Sequence, residues 1–170
     1  PRIENPGSIQ REGYEIHKKI LWKSKNMAIP GLLFIPDHYN GRPYLYLNGK
    51  GKIADAQPGG TIEQLVQEGH MVLAVDLTGF GETQMTPWRY KSALPYMGNN
   101  LAEFFIAYMN GESLLSMRAV DVLIASRFLK DQHHKNSGNK IKLSVIAKGK
   151  AGPPALHALA LEEERFHSLK

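Results

Sequence analysis

The 170-residue sequence contains no cysteine. That single absence removes disulfide scaffolds, cysteine-zinc sites, iron–sulfur clusters and thiol catalysis together, though it leaves the compartment open. No apolar run approaches the roughly 20 residues that a membrane span needs, so no membrane partner is expected. Internal repeats, low-complexity tracts and domain linkers are also missing. The opening Pro1-Arg2-Ile3-Glu4-Asn5-Pro6-Gly7 lacks the apolar region of a signal peptide. With no initiator Met, the sequence reads as a processed or excised piece, and a secreted or periplasmic origin is compatible with it. What is present is the composition of one globular domain, 42% apolar and 22% charged, enough to bury a core. The net charge is +5 and the pI about 9.4, a sign that permits an anionic partner. The lysines are scattered in ones and twos, however. The densest basic stretch, Lys130 to Lys142, is interleaved with Asp, Asn, Ser and Gly and reads as a solvated loop, so no nucleic acid is expected.

Residues 1–12 are polar and hold two prolines, which suggests an entry segment. Tyr14, Ile16, Ile20 and Trp22 share one parity between charged residues, as in a half-buried strand. Ile29 to Ile35 is a second strand a short turn away, which predicts an antiparallel pair. Tyr44 to Leu47 has no polar face and reads as a buried central strand. Thr61 begins a helix, with Gln64 completing a capping box and Gly69 ending it. Met71 to Leu77 is another continuous apolar strand. Residues 78–98 form a long loop, and Leu101 to Met109 a helix interrupted at Asn110-Gly111. From Glu112 to Lys130 the period is helical, with Leu114, Met117, Val120, Ile124 and Phe128 as the stripe. Gln132 to Lys140 reads as a polar loop, Ile141 to Ile146 as a strand, and Pro153 to about Glu164 as a final helix. The order β–β–β–α–β–α–β–α predicts an α/β fold with a mostly parallel sheet behind an N-terminal antiparallel pair.

Ligands of such sheets bind at the carboxyl ends of the strands. Three segments lie there: Asn48 to Lys52, Asp76 to Thr83, and Ala147 to Gly152. In the third, an apolar strand runs into small residues and straight on into a helix, the arrangement of a nucleophile elbow, G-x-S-x-G. The five positions read Ala147, Lys148, Gly149, Lys150 and Ala151. The flanks are small, as the close approach of strand and helix demands. The centre is Gly149, which tolerates the strained backbone but has no side chain with which to attack.

Four segments in order carry a family resemblance. They are Ile29 to Pro36, Leu45 to Gly49, Gly69 to Asp76 with Gly79 to Thr83, and the elbow with its strand. Together they resemble an α/β-hydrolase of the acetyl xylan esterase and dienelactone hydrolase type, over roughly residues 13–165. The resemblance implies a three-layer α/β/α sandwich formed by residues 1–170 as a single partial domain, ending before the C-terminal strands of the fold. It implies hydrolysis of a carboxylic ester without a cofactor or metal. Asn48-Gly49 stands where an oxyanion loop usually begins, the Lys150 amide would be the other oxyanion donor, and Asp76 to Gly81 would be structural. The chain departs from the family at Gly149, and the acid and histidine that follow later strands in the family are not in it. Without those strands, Ile141–Ile146 would be an exposed apolar edge, covered by a partner or by a further part of a longer protein.

Other readings compete. Lys148 and Lys150 flank a helix N-terminus, which suits an anion. With Lys50 and Lys52 they form a basic rim, and two solvated lysines on that rim is the plainer account. Gly49-x-Gly51-x-x-Ala54 imitates a dinucleotide fingerprint, but Pro58-Gly59-Gly60 separates it from its helix. No G-x-x-x-x-G-K-[ST] phosphate loop occurs. The seven histidines lack ligand spacing. Ser144 lies inside a strand, and Ser92, Ser113 and Ser116 lack a neighbouring base. Trp88 and Tyr90 could line a pocket or simply pack. Two function classes follow: an esterase-type hydrolase acting on a small-molecule ester, and a non-catalytic relative that binds a carbohydrate-like, anionic ligand or a partner at Asn48, Gly49, Lys50, Lys148 and Lys150.

Overall fold

The computed structural model describes residues 2–84, 101–138 and 141–170. Trp88, Tyr90 and Ser92, with most of the 78–98 loop, lie outside the described residues. The strands are β1 (Ile3–Arg11), β2 (Tyr14–Trp22), β3 (Ala28–Pro36), β4 (Tyr44–Asn48), β5 (Val72–Val75), β6 (Leu143–Lys148) and β7 (Phe166–Leu169). The helices are α1 (Thr61–Gln67), α2 (Leu101–Met109), α3 (Leu114–Ser137) and α4 (Gly152–Leu161). One mixed sheet runs in the order β1-β2-β3-β5-β4-β6-β7. Side chains of β4 and β5 alternate between two apolar clusters on opposite faces. Leu45, Leu47, Leu73 and Val75 join Val122, Phe128 and Leu129 of α3 and Ala155 and Ala158 of α4. Tyr46, Val72 and Ala74 join Ile62 and Val66 of α1. As expected of a central strand, β4 pairs in parallel with both β5 and β6.

Several expectations need correction. The entry segment is a strand, β1, antiparallel to β2. Its side chains are mostly exposed, so it has no apolar period to read; backbone pairing with β2 holds it, helped by the bond from Lys19 Nζ to Asn5 Oδ1 at 2.6 Å. Its register slips between Glu4 and Gly7, where Pro6 is accommodated as prolines are at edge bulges. Gly13, at φ +80°, turns the two-residue connection into β2. The sheet is evenly mixed rather than mostly parallel, because β1, β2, β3 and β5 pair antiparallel in succession. Along β2 the burial changes sides: Tyr14 and Ile16 are buried, then Lys19 and Leu21.

The edge expected at Ile141–Ile146 is covered. Strand β7 pairs with β6 in parallel, and Ala147 and Lys170 continue the ladder with an N–H···O bond of 2.9 Å. Four residues carry too little period to have announced β7, the last described strand on that side of the sheet. The predicted loop 132–140 is helical as far as Ser137, where Gly138 closes α3 at φ +71°. The expected α3 stripe is rotated. Leu114 and Phe128 are buried, but Val120 is 48% exposed while Ala119, Val122, Ala125 and Leu129 face inward. Small residues let α3 approach closely, and a stripe chosen by size passes over them. Finally, Gly60 rather than Thr61 precedes the first turn of α1, and no side chain caps it. A Cβ at Gly60 would lie 2.6 Å from the Asp55 carbonyl oxygen.

Candidate functional site

Strands β4 and β6 end side by side, with Asn48 in register with Lys148. The Gly49 N–H donates to the Lys148 carbonyl at 3.1 Å. A Cβ on Gly49 would fall 2.8 Å from the Lys150 nitrogen, so the two turns touch backbone to backbone and position 49 must be glycine. Beyond Lys148 the chain turns through Gly149 at φ +60° and a 3₁₀ turn, Gly149–Ala151, into α4. Ala151 and Ala155 are fully buried, which allows that entry angle. Pro153 and Pro154 sit in the first turn of α4, where their missing N–H groups cost nothing. A Cβ on Gly149 would meet nothing within 4 Å. The backbone is bent as at an elbow, and the space above its centre is open.

The candidate residues separate into three groups. Lys50 and Lys150 are exposed. Asn48 is held by its neighbours, its Nδ2 donating to Asp55 Oδ2 at 2.6 Å and its Oδ1 accepting from the Lys50 N–H at 2.9 Å. The Gly51 N–H bonds the Asn48 carbonyl, so the turn satisfies several of its own amides. Lys148 is turned away from the helix N-terminus toward Asp55, Thr61 and Tyr46. Its Nζ lies 3.3 Å from both Asp55 Oδ2 and Thr61 Oγ1 and 5.4 Å from the centre of the Tyr46 ring. Lys52 does not belong to a basic rim: it is 4% exposed and paired with Asp76 at 2.6 Å. The dinucleotide imitation fails as well, since Gly51 leads into a 3₁₀ turn, Lys52–Asp55, and not into a helix.

Tyr46, Asp55 and Thr61 were not singled out from the sequence. Tyr46 donates to Asp55 Oδ2 at 2.7 Å, so that oxygen collects Tyr46, Asn48 and Lys148. Burial pulls the Asp55 carboxyl upward, but the hydrogen bonds from Tyr46, Asn48 and Lys148 outweigh it and hold the carboxyl below its usual range. The Tyr46 oxygen first, and Asp55 after it, raise the Lys148 ammonium above the usual lysine range against the effect of burial. A lysine held protonated is no general base, so Thr61 beside it is not an activated nucleophile. No local sequence signal joins these residues; only the β4–β6 pairing brings 46, 55 and 148 together.

The Asp76 segment braces the site. Asp76, 1% exposed, accepts from the Lys52 and Glu82 backbone N–H groups at 2.6 and 3.0 Å. Gly81, at φ +53°, leaves no room for a Cβ against that carboxylate. Farther along, fully buried Asp121 accepts from the Thr78 N–H at 2.7 Å and pairs with Lys23 at 2.5 Å. Arg118 donates to the Thr78 carbonyl at 2.8 Å and lies 4.2 Å from the Phe80 ring centre.

No protein-family model matches the chain, and no curated protein matches it. Solved structures do. A Bacteroides fragilis protein provisionally assigned as an acetyl xylan esterase superposes with a TM-score of 0.76 at 20% identity, over 99% of this chain and 47% of that one. Acetyl xylan esterase from Paenibacillus sp. R4 gives 0.67 at 17% identity, over 99% and 52%. Dienelactone hydrolase from Anabaena variabilis gives 0.57 at 17% identity, over 91% and 62%. The chain therefore spans about half to three-fifths of the length of these structures. It has an α/β-hydrolase-like fold, similar to that of acetyl xylan esterases and dienelactone hydrolase.

Proposed function

We propose that the chain is the elbow-bearing part of an esterase-type hydrolase frame, similar to acetyl xylan esterases, whose elbow has no attacking group. The observation that carries this reading is Gly149, at φ +60° with open space where a side chain would stand. The fold is read as a three-layer α/β/α sandwich in a single domain, residues 1–170, that corresponds to the first part of the hydrolase fold. Its span of 47% of the Bacteroides fragilis structure supports this. Family-type catalysis needs a hydroxyl at position 149, and removing such a nucleophile costs several orders of magnitude in rate. The natural protein is expected to leave a chromogenic acetate ester at its background rate; turnover above background would mean a nucleophile elsewhere.

A second reading follows from Lys50 and Lys150, which are exposed on the two turns that meet at Gly49. They suit a small anionic, carbohydrate-type ligand at the strand ends, bound without chemistry. Titration with an acetylated uronic acid oligosaccharide tests it: weaker binding by the Lys50→Ala, Lys150→Ala double variant supports this role, and equal binding rejects it.

A further inference from the structure

Two lysines sunk into the fold are held by carboxylates. Lys52 lies against Asp76 and Glu82, and Lys23 against fully buried Asp121. Lys19 is sunk as deeply, at 9% exposed, and has no such partner. Its Nζ donates to Asn5 Oδ1 at 2.6 Å, and among the described residues that neutral amide is its one hydrogen-bond partner. The sheet explains the placement. Lys19 shares one face of β2 with Glu15, His17 and Leu21. Gly31, opposite it on β3, brings no side chain. The register slip of β1 between Glu4 and Gly7 lays Asn5 over the amine. The carboxylate on the same face, Glu15, is engaged by Ser8 and His17. From α3 the charged group that acts on Lys19 is another cation, Lys135.

We propose that Lys19 is an amine modification site, which takes the acyl group of small acyl phosphates ahead of the exposed lysines. Desolvation and a neighbouring cation are the two environments that make a lysine a nucleophile near neutral pH, and both meet here. Burial lowers the Lys19 pKa, Glu15 opposes that effect, and Lys135 adds to it. In the reaction the neutral amine nitrogen bonds to the acyl carbon. The carbon–oxygen bond to phosphate breaks, the phosphate leaves with that electron pair, and the surplus amine proton passes to solvent. The product is a neutral amide, so the step removes a charge that the site solvates poorly. Asn5 is itself exposed, so a small donor has one surface side chain to displace. Strands β3, β5 and β4 separate β2 from the elbow strand β6, and the site is independent of whether the elbow is catalytic.

The test is a brief exposure of the folded chain to acetyl phosphate over a range of pH, with the acetylation rate of each lysine read by tandem mass spectrometry. Lys18, the exposed neighbour on the same strand, and exposed Lys25 are the internal references. At about pH 7.5 Lys19 should react at least about threefold faster than either, and its rate should reach half its maximum at a lower pH, because each unit of lowered pKa gives roughly tenfold more neutral amine. Asn5→Asp puts a carboxylate where the neutral partner stood, at an exposed position. It should slow Lys19 by at least about threefold through a raised amine pKa and leave Lys18 and Lys25 unchanged. A Lys19 rate no greater than those of Lys18 and Lys25 overturns the proposal. So does a fast Lys19 whose rate Asn5→Asp leaves unaltered, because the missing counter-ion would then not be the cause.

Discussion

Lys52 meets the Asp76 carboxylate twice, through its backbone N–H and through its ammonium, at 2.6 Å in each case. One residue thus ties the loop after β4 to the end of β5, with the two side chains only 4% and 1% exposed. Removing one member leaves an uncompensated buried charge, which costs roughly 3–5 kcal/mol. Lys52→Met should lower the chemical denaturation free energy by about that amount, and a loss below about 1 kcal/mol would mean that the pair contributes little.

Gly49 and Gly149 should respond differently to alanine. At Gly49 the added carbon collides with the Lys150 nitrogen at 2.8 Å, so β4 and the elbow must part. At Gly149 the space is open, and only the left-handed backbone resists, at about 1–2 kcal/mol. Thermal melts of the two variants should rank Gly49→Ala as the more destabilised. The reverse order would contradict the backbone-to-backbone contact.

Asp55 should govern the titration of Lys148. Hydrogen bonds to Tyr46 and Asp55 raise the ammonium, so Asp55→Asn should lower its midpoint. Side-chain NMR of Lys148 in the two proteins reads this directly, and an unchanged midpoint would show that the 3.3 Å contact is not maintained in solution.

His133 gives the fold an acid-sensitive point far from the elbow. It is 2% exposed, bonded to the Tyr39 hydroxyl at 2.6 Å and to the Ser137 hydroxyl at 2.8 Å. Burial first, then neighbouring His134, lowers its pKa from 6.5. The folded protein therefore resists protonation while the unfolded chain accepts it. The contribution is complete above about pH 6.5 and is lost as the pH falls below it. Melting temperatures at about pH 7.5 and about pH 5.5 should fall further apart in the natural protein than in His133→Gln; equal slopes would place the sensitivity elsewhere.

The residues that were legible in the sequence are those whose structure is local. Leu45, Tyr46 and Leu47 are buried in a strand with neighbours on both sides, and the small residues around Gly149 do form a sharp strand-to-helix turn. Strand β1 was hidden because an edge strand can be polar. The last turns of α3 were hidden because His133 is buried by a tyrosine 94 positions away. The cluster of Tyr46, Asp55 and Lys148 depends on the pairing of Asn48 with Lys148 across two strands far apart in sequence, which no local pattern encodes. Lys52 reads as part of a basic rim because a lysine inside an ion pair carries no mark of it in the sequence.

The central claim is that the elbow is built and its attacking group is absent. Hydrolysis of a chromogenic acetate ester by the natural protein, including any polypeptide beyond Lys170, tests it most directly, with Gly149→Ser measured beside it. The account predicts background rates from the natural protein and a retained fold in the Gly149→Ser protein, because the added side chain enters open space and the left-handed backbone costs only about 1–2 kcal/mol. Turnover by the natural protein would contradict it.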